Sequence, residues 1–142
     1  MTPEQILLVR TSFAQVKATG DQAAALFYER LFALDPSLRA LFKVDPAVQR
    51  AKLLAALAMV VDALDRLDHV LPAVRDLGRR HARYGVLPEH YATVGSALIW
   101  TLEQGLGAAF TPAARRAWID AYGLLAWTML AAAEAELRDQ AA

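Results

Sequence analysis

The six prolines of this 142-residue chain constrain its fold most, because each can be placed in the first turn of a helix. A missing backbone N–H costs nothing there, whereas inside a helix or a central strand it removes a hydrogen bond. Four prolines directly follow residues that favour helix N-caps, and Thr2 is also followed by Gln5 at the spacing of a capping box. These N-cap candidates are Thr2, Asp35, Asp45 and Thr111. The prolines, at positions 3, 36, 46, 72, 88 and 112, therefore predict where the helices begin.

Three glycines predict where helices end: Gly20 after the first, Gly85 after the fifth and Gly107 before the last. Between these signals apolar residues recur at helical spacing, and no segment alternates as a strand would. The pattern predicts an all-α fold of seven helices, at residues 3–19, 21–34, 36–42, 46–67, 72–84, 88–106 and 112–139. With neither an internal repeat nor a linker, residues 1–142 are expected to form one domain.

Composition excludes several classes of function. Fifteen Lys and Arg balance fifteen Asp and Glu, so no basic surplus exists to neutralise phosphates, and nucleic acid is not an expected partner. The chain has no cysteine, which rules out disulfides, iron–sulfur clusters and thiolate-bound metals. The first residues lack the pattern of a signal peptide, and no uncharged apolar run is long enough to span a membrane. We therefore expect a cytoplasmic protein without a membrane span.

Three polar residues interrupt apolar helix faces. His81, in LGRRHARYGV, continues the stripe that Val74 and Leu77 begin. Gln49 begins the apolar face of QRAKLLAAL, and Tyr28 lies beside the core stripe of ALFYERLF. Taken singly, each has a simpler interpretation: a hydrogen-bonded core histidine, a glutamine pointing into water, and a tyrosine at the edge of the core. Taken together, they favour a common ligand.

The chain resembles the globin family over essentially its whole length. The segments that carry the resemblance are LFYERLFALDPSLRALF, QRAKL, LGRRHARYGVLPEHYATVGSALIWTLEQGLG and AFTPAARRAWIDAYGLLA. They are similar to single-domain bacterial haemoglobins and to the haem domain of flavohaemoglobins, with some neuroglobin-like phrases. The resemblance implies a globin fold of about seven helices that enclose one haem b.

The resemblance also implies residue roles. His81 would be the proximal iron ligand, Phe42 would pack on the porphyrin, and Tyr28 and Gln49 would be the distal hydrogen-bond donors. Further apolar walls would come from Leu53, Val86, Tyr91 and Val94. The cations placed to meet the haem propionates are Lys52, Arg79 and Arg80, although each could equally belong to a solvated charged face.

The proximal side departs from the flavohaemoglobin pattern of a tyrosine and a glutamate behind the histidine. Tyr91 matches the tyrosine, but the glutamate position falls on Ala133, with Glu134 one residue further. A one-residue offset turns a side chain by about 100° around a helix. A backbone carbonyl is therefore the alternative group that would orient His81.

The iron's sixth position is expected to be open or occupied by water. Gln49 stands where neuroglobin-like chains have a second histidine, and an amide is a poor iron ligand. His69 and His90 are expected to be exposed, and Lys52 would have to lose its proton to coordinate iron.

Three functions remain open. The first is binding of O2, NO or CO by a monomer or homodimer, for oxygen transport, NO detoxification or gas sensing. The second is a nitric oxide dioxygenase, which requires a separate reductase because the chain has no G-x-G-x-x-G motif after a strand. The third is a globin-fold interaction domain without a cofactor.

Overall fold

The computed structural model describes residues 1–141, with side chains described for residues 1–139. The chain forms six α-helices: α1 (Pro3–Lys17), α2 (Gly20–Leu34), α3 (Pro46–Asp62), α4 (Leu71–Arg83), α5 (Pro88–Leu106) and α6 (Pro112–Ala141). Short 3-10 segments lie at Pro36–Leu41, Leu67–His69 and Gly107–Ala109, and residues 1–141 contain no strand. The six α-helices and the segment Pro36–Leu41 are the seven predicted helices, so the predicted all-α architecture is confirmed.

The predicted helix starts are confirmed by cap hydrogen bonds. The Thr2 hydroxyl accepts from the backbone N–H of Gln5 at 3.2 Å, and the Gln5 side chain accepts from the N–H of Thr2 at 3.1 Å. Side chains of Asp35, Asp45 and Thr111 accept from backbone N–H groups two or three residues further on. These bonds satisfy N–H groups that have no partner within the helix.

Two predicted helix ends are wrong. Gly20 begins α2 rather than ending the first helix, which stops at Lys17. The helix predicted over residues 46–67 ends at Asp62, because the Arg10 guanidinium donates to the carbonyls of Val61 (3.3 Å) and Asp62 (2.7 Å). A cation that satisfies the last carbonyls caps a helix C-terminus. Gly85 and Gly107 do end helices, with φ values of 93° and 54°.

Two groups of buried residues form the core. The larger group joins α1, α2, α3, α5 and α6 around Val9, Leu31 and Trp118. The smaller group joins α4, α5 and α6 through Val74, Tyr91, Ala126 and Met129. Tyr122 packs against both groups and connects them.

The approach of α4 to α6 depends on Gly78. A Cβ at this position would overlap the carbonyl oxygen of Met129 and lie 2.7 Å from its Cα. Only glycine allows backbone to meet backbone here. Because Gly78 is one turn before His81, this contact fixes the part of α4 that carries the histidine.

Within the described residues 1–141, no helix combines the length and the apolar character needed to cross a membrane.

Candidate functional site

The structure joins two of the predicted residues directly. Gln49 Nε2, on α3, donates a hydrogen bond to the Tyr28 hydroxyl, on α2, at 3.1 Å. Burial raises the pKa of Tyr28 above its ordinary value, and the hydrogen bond from Gln49 opposes this increase. The hydroxyl is therefore protonated at neutral pH. Its proton has no acceptor among the described side chains, so Tyr28 can still donate to a ligand.

Phe42 lies beside this pair. Its ring stands edge-on to Tyr28, with centroids 5.4 Å apart, and edge-on to Phe32 at the same distance. Phe27 meets Tyr28 edge-on from within α2 at 5.0 Å. Phe42 follows the 3-10 segment Pro36–Leu41, whose start is capped by Asp35. This short segment therefore places the Phe42 ring against Tyr28, where it forms an aromatic wall of the site.

His81 is half-buried on α4. Its Nδ1 lies 2.8 Å from the carbonyl oxygen of Leu77. A carbonyl can only accept, so Nδ1 carries the proton and the Nε2 lone pair is free to bind a metal. Burial lowers the pKa of His81, the bond to Leu77 opposes the decrease, and the charge of Arg80 adds to it. His81 is thus a neutral, oriented imidazole, and the alternative that a backbone carbonyl orients it agrees with the geometry.

The end of the His81 helix lies against the segment that leads to Phe42. A Cβ on Gly85, just after α4, would be 3.5 Å from a methyl carbon of Leu41. The positive φ of Gly85 turns the chain at this point, and Val86 then packs on the smaller core group. The fold therefore places the histidine helix next to the aromatic wall.

Tyr91 contributes a buried hydroxyl without a partner. Tyr91 is 8% exposed, and no residue among 1–139 gives its Oη a hydrogen bond. Its own carbonyl accepts from the Tyr122 hydroxyl at 2.7 Å. An unsatisfied buried hydroxyl costs about 1–3 kcal/mol. In a native protein such a group is typical of a ligand or water site.

The remaining predicted residues are two apolar side chains and three cations. Leu53 and Val94 are half-buried against the larger core group. Lys52 is exposed, Arg79 is half-buried, and Arg80 is exposed and pairs with Asp76 at 3.2 Å. The structure records no contact that joins these three cations to the Tyr28–Gln49 pair.

Two further histidine predictions have different outcomes. His69 is exposed, as expected. His90 is half-buried, not exposed, because its Nδ1 accepts from the backbone N–H of Leu87 at 2.9 Å and caps α5. The sequence does contain a sign of this cap, because His90 stands at the third position of the predicted helix, from which a side chain can reach back to the backbone N–H of the N-cap residue.

On α6, Ala133 is 8% exposed and Glu134 is exposed. Ala133, predicted to match the flavohaemoglobin glutamate, has no acid group, and the neighbouring Glu134 is exposed to solvent.

Two small apolar cavities lie among the core helices near Leu57 and Leu98. Their volumes are about 20 Å³ and about 30 Å³. One extends from Leu57 towards Val60 and Tyr122, and the other from Leu57 towards Leu53 and Phe27. Cavities of this size have room for about one or two water-sized molecules, and apolar walls leave them unattractive to water.

A haem fits the donor set better than a bare metal ion does. Residues 1–139 contain no cluster of three or more His, Cys, Asp or Glu that could hold a metal ion. One oriented imidazole is enough only when a macrocycle supplies the other ligands. The Tyr91 hydroxyl has no hydrogen-bond partner among the described residues, and the Tyr28 hydroxyl proton has no acceptor there. A bound ligand could satisfy both groups.

Sequence comparisons agree with this interpretation. A family model described as Globin matches residues 25–129. A Bacillus subtilis flavohemoprotein is 31% identical over 124 residues, which are 85% of this chain and 31% of that protein. A Bordetella parapertussis flavohemoprotein is 34% identical over 129 residues, or 89% of this chain and 32% of its own length. The chain thus spans about a third of the length of these relatives.

Solved structures give the same result. An engineered carbene transferase, a candidate nitric oxide dioxygenase from Rhodothermus marinus, matches with a TM-score of 0.84 and 28% identity. The match covers 99% of this chain and 96% of that one. A bacterial globin from Campylobacter jejuni matches with a TM-score of 0.84 and 25% identity, over 97% of this chain and 99% of that one.

Proposed function

This chain belongs to the globin family, and from that premise we propose that its 142 residues form one domain that holds haem b and binds diatomic gases. When bound, haem supplies an iron centre at which O2, NO or CO coordinates. The observation that carries the proposal is the His81 imidazole, whose Nδ1–H is held by the Leu77 carbonyl and whose Nε2 is free.

His81 is the proposed proximal ligand. Its lowered pKa keeps the ring neutral, which metal binding requires. The carbonyl of Leu77 fixes the ring's tautomer and orientation, and Gly78 holds this turn of α4 against α6. A carbonyl is a weaker acceptor than a carboxylate, so we expect less electron donation through His81 than a glutamate partner would give.

Tyr28 and Gln49 are the proposed donors to the bound gas. The hydrogen bond from Gln49 holds the Tyr28 oxygen in place and leaves the hydroxyl proton for the ligand. Donors of this kind would stabilise negative charge on a gas molecule held at the haem. We therefore expect slow oxygen release.

The walls and the rim have separate roles in the proposal. The proposed apolar walls that exclude water are Phe42, Leu53, Val86, Tyr91 and Val94, which belong to or pack against the two core groups. Arg79, Arg80 and Lys52 are the proposed partners of the haem propionates. The exposure of Lys52 favours this role over iron ligation.

A haem titration followed by gas binding tests this function. One equivalent of haem per chain and reversible spectral changes with O2 and CO are the expected results. A chain that takes up no haem would instead be a cofactor-free globin-fold domain.

Nitric oxide dioxygenation is the second candidate, and the Tyr28–Gln49 pair together with the flavohemoprotein relatives favours it. The overall reaction converts NO, O2 and one electron into nitrate. The electron would come from a reductase outside the 142 residues, because no nucleotide-binding motif occurs in them. Repeated turnover of NO with an added reductase would support the enzyme, and one turnover that ends in ferric haem would support the binding protein.

A further inference from the structure

The start of α3 is held to α2 by a second polar contact besides the hydrogen bond between Gln49 and Tyr28. Arg50 Nε lies 2.8 Å from Asp21 Oδ1, in the first turn of α2. The Arg50 side chain is 25% exposed and that of Asp21 is 73% exposed, so the ion pair is partly open to solvent. Because Arg50 directly follows Gln49, the two contacts start from adjacent residues of α3.

Gln49 and Arg50 lie on opposite edges of the face that α3 turns towards α2. At 100° per residue, the directions of Leu53 and Leu57 fall between those of Gln49 and Arg50. Both leucines line the apolar cavity that Ala24 of α2 also lines. A rotation of α3 about its own axis that shortens one polar contact must therefore lengthen the other.

Asp21 and Tyr28 lie on one face of α2, two turns apart. Seven residues turn a helix by about 700° and advance it by about 10 Å, so the two side chains point in nearly the same direction. Gly20 adds a close approach beside Asp21, because a Cβ there would lie 3.2 Å from a methyl carbon of Leu54, one turn after Arg50. The start of α3 is therefore held at two separate points of α2.

Apolar packing does little to fix the start of α3. None of the residues 46–60 is buried, and Val61 is the first residue of the helix that is. The cavity of about 30 Å³ is lined by Leu53 of α3 and Phe27 of α2. Side chains beside a cavity lack contacts on one side and hold their helix less firmly. The direction of the Gln49 amide therefore depends on the polar contacts.

We propose that Asp21 and Arg50 are positioning residues for the gas site, because their ion pair fixes the rotation of α3 that directs the Gln49 amide to the Tyr28 hydroxyl. This inference rests on the proposed function, in which Tyr28 and Gln49 are donors to the bound gas. The ion pair acts through Gln49 alone. The amide holds the Tyr28 oxygen, and the hydroxyl proton is left for the ligand.

Breaking the ion pair should speed the release of O2 from the haem-loaded protein. A partly exposed ion pair contributes little, so Arg50→Met and Asp21→Asn should each raise the dissociation rate about two- to fivefold, less than Gln49→Leu raises it. The double variant should be no faster than either single variant, because both changes remove one contact. Arg50→Lys keeps the charge and should recover most of the slow release. Stopped-flow displacement of O2 by CO measures these rates.

Salt dependence separates this role from a general loosening of the fold. At about 1 M salt the Debye length is about 3 Å, and an ion pair open to solvent is weakened. Raising the salt concentration from about 0.1 M to about 1 M should therefore speed O2 release in the wild type but not in Arg50→Met. Arg66→Met is the matched control, because it breaks a 2.6 Å ion pair with Asp62 at the other end of α3. It should keep both the wild-type rate and the wild-type salt dependence.

Nuclear magnetic resonance of the Gln49 side-chain amide in the purified chain tests the positioning without any bound gas. Arg50→Met should shift the amide signals and speed their exchange with water, whereas Arg66→Met should change neither. Wild-type O2 release in Arg50→Met, beside faster release in Gln49→Leu, would overturn the inference and leave the proposed function standing. Unchanged release in Gln49→Leu would instead refute the roles proposed for Tyr28 and Gln49. In that case, wild-type amide signals in Arg50→Met would refute the positioning as well.

Discussion

Gln49 on α3 donates a hydrogen bond of 3.1 Å to the hydroxyl of Tyr28 on α2. The two residues are 21 positions apart in the sequence and lie on different helices. The hydrogen bond therefore holds the two side chains together as one hydrogen-bonding unit. Because Tyr28 accepts this bond, its proton is still available to a ligand.

Removing either donor should speed the release of O2 from the haem-loaded protein. We expect Tyr28→Phe to raise the dissociation rate at least about tenfold, since the lost bond is charge-assisted and worth about 1.5–3 kcal/mol. Gln49→Leu should raise it less, because Gln49 acts partly by positioning Tyr28. Stopped-flow displacement of O2 by CO measures both rates.

Tyr84→Phe is the control for these variants, because Tyr84 is 63% exposed. Its ring centroid lies 6.5 Å from that of His81, at the C-terminal end of α4, whereas Tyr28 and Gln49 lie on α2 and α3. Unchanged release in Tyr28→Phe and Gln49→Leu would refute their assignment as distal donors.

Gly78→Ala should destabilise the protein. The added Cβ would overlap backbone atoms of Met129, which cannot move without shifting α6. Overpacking of this kind costs about 1–3 kcal/mol. Gly105→Ala is the matched control, because a Cβ there would meet only Val16 at an ordinary 3.7 Å, and alanine favours helix. Urea unfolding measures the stability of both variants. Equal stabilities would show that the packing of α4 on α6 does not require glycine at position 78.

Ser12→Ala should also lower the free energy of unfolding. The Ser12 hydroxyl accepts from Trp118 Nε1 at 2.7 Å, and both residues are buried. Without it, a buried indole N–H loses its partner, at a cost of about 1–3 kcal/mol. Thr11→Ala changes an exposed neighbour and should be close to neutral. A Ser12→Ala variant as stable as Thr11→Ala would contradict this interpretation.

Alkaline pH should weaken the fold through Tyr122. Burial raises the pKa of Tyr122, with the nearby Tyr91 as a second cause. Above the ordinary tyrosine pKa of about 10, the unfolded chain therefore releases a proton that the folded chain keeps, so the free energy of unfolding falls as pH rises. Tyr122→Phe should make this decrease shallower than in the wild type. Urea titrations between about pH 8 and about pH 11 measure the slope, and identical slopes would exclude the effect.

The sequence predicted most helix starts because their signals are local. Proline fixes its own φ, and the cap at Asp45 reaches only two residues to Ala47. The end of α3 could not be predicted in this way. It depends on Arg10, which is 51 residues from Val61 and meets its carbonyl only in the folded chain.

The same distinction applies to the candidate site. His81, Tyr28 and Gln49 were identifiable as polar residues on apolar faces, and the Leu77 carbonyl lies one helical turn from His81. The importance of Gly78 was not visible, because the Met129 backbone that excludes a side chain lies on another helix. The roles of these residues towards haem remain predictions.

The most direct test of the account is a haem titration of His81→Ala followed by absorption spectroscopy, with His69→Ala as the control at an exposed histidine. We expect the wild type and His69→Ala to bind one haem with the spectrum of an imidazole ligand. His81→Ala should lose that spectrum and regain it when free imidazole is added. A His81→Ala protein that binds haem with an unchanged spectrum would contradict the account.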